Sequence, residues 1–205
     1  MSEIQIGRLL RAGISGFVIG TRVSQFESDT PALGALVRAP LGDTQQVYGL
    51  IHDIHIDDDG LVRQLITADS VADATIADNR VNRTVPVEMS VLAIGYSENG
   101  DIRHLLPPRP PLSLDLIHLC TDEELRSFTS AGRFGYFRHV LRNADLPIGE
   151  VLAAHVQAAD AAHTAGGNSD WRDAAIQELI TLLRDDYPTL MAVLGALSDA
   201  IPERQ

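Results

Sequence analysis

The sequence predicts an α+β fold in which a small antiparallel β-barrel precedes an α-helical bundle. In the first half, short apolar runs alternate with turn residues, a pattern typical of strands. In the second half, apolar residues recur at helical spacing. A proline-rich stretch over residues 105–111 separates the two patterns. We therefore expect a barrel domain over residues 1–113, including this stretch, and a helical domain over residues 114–205.

Six or seven short strands are expected in the first half. Asn99-Gly100 is a residue pair preferred in two-residue hairpin turns, so it is expected to join the last two strands. Residues 69–83 are rich in alanine and aspartate and predict a short helix or an ordered loop. Because closing a sheet removes its exposed edges, a barrel is favoured over an open sheet. The expected strands are 6–12, 17–23, 33–38, 46–56, 61–67, 85–96 and 102–106.

The proline-rich stretch contains Pro107, Pro108, Arg109, Pro110 and Pro111. Proline fixes its own φ and lacks a backbone N–H, so the segment favours extended chain and is excluded from the middle of a sheet. We interpret it as a stiff spacer between two packed units. Two alternatives are a strap that packs against the first domain as part of it, and a proline-rich ligand for an aromatic groove.

The second half begins with a capping box, because Thr121 is followed three residues later by Glu124 and both side chains suit a helix start. Pro188 suits the first turn of the last helix. The residues expected to face the core are Leu125, Phe128, Phe134, Phe137, Val140 and Leu141; Ile148, Val151, Leu152, His155, Val156 and Ala159; Trp171, Ala175, Leu179 and Leu182; and Leu190, Leu194, Leu197 and Ile201.

Composition excludes several classes of function. The net charge is −12, all sixteen basic residues are arginine, and there is no lysine. A Walker-type P-loop and a Schiff-base lysine are therefore absent. Direct nucleic-acid binding is not expected, because that affinity comes from clustered basic residues. The single cysteine, Cys120, excludes an internal disulfide. We expect a cytoplasmic protein without signal peptide, membrane span or cofactor.

Two groups of residues have side chains suited to chemistry. His52, His55 and Asp57 have residue types that bind divalent metals, although such a trio on an edge strand is more often a solvated polar face. Cys120 lies two residues after His118, and a cysteine with a histidine is the minimum for nucleophilic catalysis. A lone buried cysteine is more often a small hydrophobic residue. We assign no catalytic, cofactor or metal residues.

Charged residues of the second half suggest caps and a docking patch. Asp186 precedes Tyr187-Pro188 and is expected to cap the last helix rather than to form a carboxylate pair with Asp185. Four arginines form a modest basic stretch, and the default interpretation of such a stretch is a solvent-exposed helix face. The alternative is a docking patch for an acidic partner. The arginines concerned are Arg126, Arg133, Arg138 and Arg142.

Three segments resemble a known small barrel. They are Gly7-Arg8; Thr30-Pro31 with Leu33, Gly34 and Val37; and Val47-Tyr48-Gly49-Leu50-Ile51 with Asp53-Ile54. They look like the HAS barrel, which precedes the motor domain in HerA-type ATPases and in ATP synthase subunits. The whole chain is similar to stand-alone HAS-barrel proteins of photosynthetic bacteria, through the strap over 105–111, Cys120-Thr121 with Glu123-Glu124, and the segment over 182–187. The P-loop motor domain is missing, so nucleotide hydrolysis is not implied.

The resemblance implies a non-catalytic interaction or assembly module. The expected partner is a ring ATPase, either HerA-like or ATP synthase, or a second copy of the chain. An accessory factor of DNA processing, recruited by a HerA-like ATPase, is the alternative, and a cryptic hydrolase a further one. The candidate interaction residues are Pro107, Pro108, Arg109, Pro110, Pro111, Arg133, Arg138 and Arg142.

Overall fold

A computed structural model describes residues 4–22, 31–58, 60–68, 70–81 and 85–201. It confirms the α+β class, with an antiparallel β-barrel followed by a helical region. The described residues form seven strands, close to those expected except near residues 61–67 and 116–119. The strands are β1 Ile4–Ala12, β2 Gly16–Thr21, β3 Leu36–Pro40, β4 Gln45–Ile56, β5 Val87–Glu98, β6 Asp101–Arg103 and β7 Leu116–Leu119.

Six of these strands close a barrel in the order β2-β1-β7-β3-β4-β5, because β5 also pairs with β2. β6 extends β5 as a hairpin. Its turn is Asn99-Gly100, and the positive φ values of 53° and 89° are those that this residue pair tolerates, as predicted. The inward-facing side chains fill the barrel with aliphatic residues and one phenylalanine. They include Leu9, Phe17, Ile19, Val37, Val47, Ile51, Met89 and Ile117, all nearly inaccessible to solvent.

The proline-rich stretch is part of the barrel, so its interpretation as a spacer is wrong. It connects β6 to β7, and β7 lies between β1 and β3 in the sheet. Pro107 and Pro111 are buried. The sheet therefore continues beyond residue 113, the expected end of the first domain. β7 has only four residues, too few for a recognisable strand pattern.

Residues 61–67 are helical, whereas a strand was expected there. Leu61 and Leu65 stand four residues apart, as do Val62 and Ile66, which is helical spacing. The chain between β4 and β5 contains two helices, α1 Leu61–Thr67 and α2 Asp73–Val81. We call this excursion the helical arm. No residue of α1 is buried.

In the described part of the chain, five further helices follow the barrel. The capping box at Thr121 is confirmed, since Glu124 N donates to Thr121 Oγ1 at 3.2 Å and Thr121 N donates to Glu124 Oε2 at 2.8 Å. Leu182 is exposed, contrary to prediction, and Leu183 is buried instead because it continues the four-residue spacing of the buried face of its helix. The helices are α3 Asp122–Ser130, α4 Phe137–Leu141, α5 Ile148–Ala165, α6 Trp171–Leu183 and α7 Tyr187–Ala200.

One hydrophobic core joins the barrel to the helices. The outer faces of β4 and β5 contribute Tyr48, Leu50 and Ile94, which pack against Phe128 and Tyr136 of the helical region. The Nε of Arg38 on β3 lies 2.7 Å from Glu124 Oε1 on α3. In the described part of the chain, none of the helices has the length and apolarity needed to cross a membrane.

Candidate interaction surface

The strap ends in a turn that is held rigidly against β1. Within the turn, Asp115 N donates to Leu112 O at 3.2 Å, and Leu112 N donates to Asp115 Oδ2 at 3.0 Å. Leu114 N donates to Leu9 O at 2.8 Å, and Leu9 N donates to Asp115 O at 2.9 Å. Arg8 Nη1 adds a bond to Leu114 O at 2.9 Å. The turn is therefore fixed by bonds both within itself and to the barrel.

This turn presents two leucines to solvent. The side chains of Leu112 and Leu114 are 74% and 68% exposed. Leu114 also has a φ of 73°, in the left-handed region. Such a conformation costs a residue with a Cβ about 1–2 kcal/mol. Leu114 thus combines a strained backbone with an uncovered apolar side chain.

The other positive-φ residues besides glycine in the described ranges have local explanations. Asn99 belongs to a residue type that tolerates this region and lies in a hairpin turn. Phe134 is partly buried, and its ring stacks on that of Phe137 with centroids 5.5 Å apart. Burial and stacking offset the strain at Phe134. Among the described residues, the contacts of the 68% exposed Leu114 provide no comparable offset.

A groove of about 510 Å³ runs beside this turn. Leu10, Leu114 and Pro86 contribute apolar walls, and Arg8 and Arg22 contribute positive charge. Gly20 makes room for Leu10, because a Cβ at Gly20 would lie 2.9 Å from Leu10 Cγ. We call the groove-lining residues Arg8, Leu10, Arg22 and Leu114, together with Leu112 of the same turn, the strap face.

The strap face is basic within an acidic protein. Residues 4–22 contain three arginines and no aspartate or glutamate, whereas the whole chain carries −12. One of the three, Arg11, pairs with Glu88 on β5 at 2.9 Å. Arg8 and Arg22 line the groove itself. An apolar groove with arginines at its sides is a composition typical of protein interfaces.

The prolines proposed as interaction residues lie mostly against the barrel. Pro110 and Pro111 line a groove of about 320 Å³ with residues of the β3–β4 turn. Arg109 Nη2 donates to Leu41 O at 3.5 Å. Pro108 is exposed and Pro107 is buried. The buried prolines contribute to packing, and Leu112 and Leu114 in the turn after the strap are the more accessible binding groups.

The four arginines of the predicted patch differ in their contacts. Arg138 donates to the carbonyl oxygen of His104, and Arg126 donates to Ala162 O at 3.2 Å. These two guanidinium groups therefore bind the protein's own backbone. Arg133 and Arg142 are exposed.

The candidate metal trio does not converge. His55 Nε2 lies 2.8 Å from Asp57 Oδ1, and both side chains are exposed. A bulge between Ile51 and Asp53 interrupts the pairing of β4 with β5. His52 lines a different groove, of about 430 Å³, on the barrel wall. Within the described ranges, no group of three histidine, cysteine or acidic residues is arranged to hold a metal ion.

The thiol of Cys120 is poorly suited to nucleophilic attack. Burial raises the pKa of Cys120 well above its usual range, and the nearby Glu124 carboxylate adds to the increase. The attacking species in cysteine catalysis is the thiolate, which requires a lowered pKa. The interpretation of Cys120 as a small hydrophobic residue fits this environment, since it packs against the shared core.

Most of the strap face was missed by reasoning from the sequence. The one available signal was the run of residues 4–22 with three arginines and no acid. No protein-family model matches the chain, and no curated protein matches it either. The resemblance to HAS barrels therefore depends on the motifs quoted above.

Proposed function

We propose that the protein is a non-catalytic interaction module that binds a protein partner through the strap face. The observation that carries this proposal is Leu114, an exposed leucine in a left-handed conformation. Strained residues persist where the surrounding structure holds them in place, and they cluster at ligand-binding positions. A contact with another protein would bury the Leu114 side chain and offset the conformational cost.

The rigidity of the turn supports a binding role. Association loses free energy when loops and side chains must be ordered at an interface. The bonds between Leu114 and Leu9, and between Leu112 and Asp115, order the turn before any partner arrives. The strap face is therefore pre-organised for binding.

The resemblance to HAS barrels suggests the class of partner. In those proteins the barrel lies beside a ring ATPase, so a HerA-like ATPase or ATP synthase subunits are the first partners to seek. The protein would then act as an adaptor or assembly factor. A hydrolase that uses Cys120 is disfavoured by the raised pKa of its thiol.

Affinity purification from the native cell extract, followed by mass spectrometry, tests the proposal. Leu114→Asn removes the apolar side chain and suits the left-handed backbone. Leu182→Asn is a matched control, because Leu182 is also exposed (45%) but lies on α6. We expect the wild-type and control proteins to retain the same partner and Leu114→Asn to retain at least about tenfold less. Equal retention by all three proteins would overturn the proposal.

A further inference from the structure

The helical arm has apolar side chains that are exposed to solvent. Leu61 and Ile66 of α1 are exposed, as is Ile76 of α2, and Ile66 reaches 77%. Ile56, where β4 ends before the arm, is exposed as well. Helices of seven and nine residues are too short to be stable alone and derive their stability from packing an apolar face. The arm is therefore suited to packing against another surface.

The arm and the strap face have opposite charges. Residues 57–86, which connect β4 to β5, contain six aspartates and three arginines, a net charge of −3 from 3 − 6. The strap face has the two arginines Arg8 and Arg22, since the third arginine of residues 4–22, Arg11, is paired with Glu88. Each surface thus combines exposed leucine or isoleucine side chains with a charge that complements the other. Such complementarity between two surfaces selects partners and orients them.

The two surfaces lie near one another on the barrel. Ile56 pairs with Val87, and Val87 pairs with Thr21 of the strand that borders the groove. Pro86, the last residue of the arm before β5, lines the groove itself. Even so, α1 buries no residue. Leu112 and Leu114 remain 74% and 68% exposed, so the described part of the arm does not cover them.

We propose that the helical arm of one copy docks on the strap face of a second copy. The inference builds on the proposed binding role of the strap face and names a second copy as its occupant. The two copies contribute different surfaces, so the contact is heterologous. Each added copy presents a further free arm and a further free strap face. Repetition gives a closed ring where the rotation closes, and a filament where it does not.

Two variants, each with one surface blocked, test this directly. The strap-face variant combines Leu114→Asn with Arg22→Glu. The arm variant combines Ile66→Asp with Ile76→Asp. Sedimentation velocity of the wild type at increasing concentration is expected to show oligomers that dissociate at high salt, because charge contributes to the contact. Each variant alone is expected to be monomeric.

The mixture of the two variants gives the decisive result. The arm of the strap-face variant and the strap face of the arm variant are both intact, so equal amounts should form a heterodimer and nothing larger. A contact between two identical surfaces would not be restored by mixing. A mixture that stays monomeric, or a wild-type protein that is monomeric at every concentration, overturns the inference. Circular dichroism of each variant confirms that it is folded, and Leu182→Asn is the control that should assemble like the wild type.

The extract experiment separates this inference from the proposed function. If the wild type is monomeric and retains a different protein through Leu114, the proposed function is supported. The second copy is then excluded as the partner of the strap face. Oligomers that persist in the strap-face variant also overturn the inference. If the retention of partner proteins from the extract also does not depend on Leu114, the proposed function is overturned together with the inference.

Discussion

His155, in α5, donates a hydrogen bond from Nδ1 to the carbonyl oxygen of Gly34 at 3.3 Å. Gly34 lies just before β3, so this bond joins the helical region to the barrel. The Nε2 of His155 accepts from the hydroxyl of Tyr136 at 3.2 Å. Both ring nitrogens of the neutral imidazole are thus satisfied. The side chain is fully buried, and burial lowers its pKa to about 4.

The free energy of unfolding is expected to fall as the pH decreases from 6.5 towards 4. In that interval His155 binds a proton in the unfolded chain but not in the folded protein, so protons favour unfolding. At a pH below both pKa values, the difference between them corresponds to a loss of about 3 kcal/mol in the free energy of unfolding. Urea unfolding near pH 7 and near pH 5 measures the effect. His155→Gln should weaken the pH dependence, and an unchanged dependence would contradict this assignment.

Gly34→Ala is expected to destabilise the protein by about 3 kcal/mol, from backbone strain and overpacking together. Gly34 has a φ of 77°, and a Cβ there would lie 2.7 Å from the backbone nitrogen of His155. Gly167→Ala is the matched control. Gly167 has a φ of 87° and no atom within 4 Å of the added Cβ, so only the strain is introduced. The midpoint of urea unfolding should fall much further for Gly34→Ala. Equal shifts would show that contact with α5 is unimportant.

Leu114→Asn is expected to raise the free energy of unfolding by about 1 kcal/mol while weakening partner binding. Asparagine tolerates the left-handed region better than leucine, and the exposed side chain loses little packing. Leu112→Asn is the control in the same turn, since Leu112 is exposed but is not among the positive-φ residues of the described chain. It should change stability by less than about 0.5 kcal/mol. Thermal and urea unfolding give both values, and destabilisation by Leu114→Asn would refute the strain argument.

Glu124→Gln is expected to lower the free energy of unfolding by about 2 kcal/mol. It removes the negative charge beside Arg38, whose side chain is mostly buried, while keeping an oxygen for the capping box at Thr121. The expected loss is smaller than for a fully buried pair because Glu124 is partly exposed. Arg184→Ala removes an ion pair with Asp185 that lies in solvent, and should change stability by less than about 0.5 kcal/mol. Urea unfolding measures both changes in the free energy of unfolding. Equal changes for Glu124→Gln and Arg184→Ala would contradict the prediction.

Local patterns predicted the parts of the fold that depend on neighbouring residues. The capping box at Thr121, the hairpin turn at Asn99-Gly100 and the cap at Asp186 were found because each uses bonds or dihedrals within a few residues. Residues 61–67 were misassigned because seven residues rich in leucine, valine and isoleucine fit either a strand or a helix.

The strap was misinterpreted because proline defines backbone conformation but not what the backbone packs against. Pairing of β7 with β1 and β3 depends on residues far away in the sequence. Leu114 depends on distant residues as well, because its turn is held by a bond to Leu9 in addition to the bonds between Leu112 and Asp115. The strap face therefore cannot be predicted from the sequence and is recognised only in the three-dimensional structure.

The position of β7 determines when the barrel can form during synthesis. Arg8 and Leu114 are 106 positions apart in the chain and yet are hydrogen-bonded. Until the ribosome has released residue 119, β1 and β3 border a gap that only β7 fills, and both have unpaired edges. A fragment that ends at residue 113 would retain those edges permanently and be prone to aggregation. The smallest unit with a closed barrel therefore extends to the first helix of the helical region.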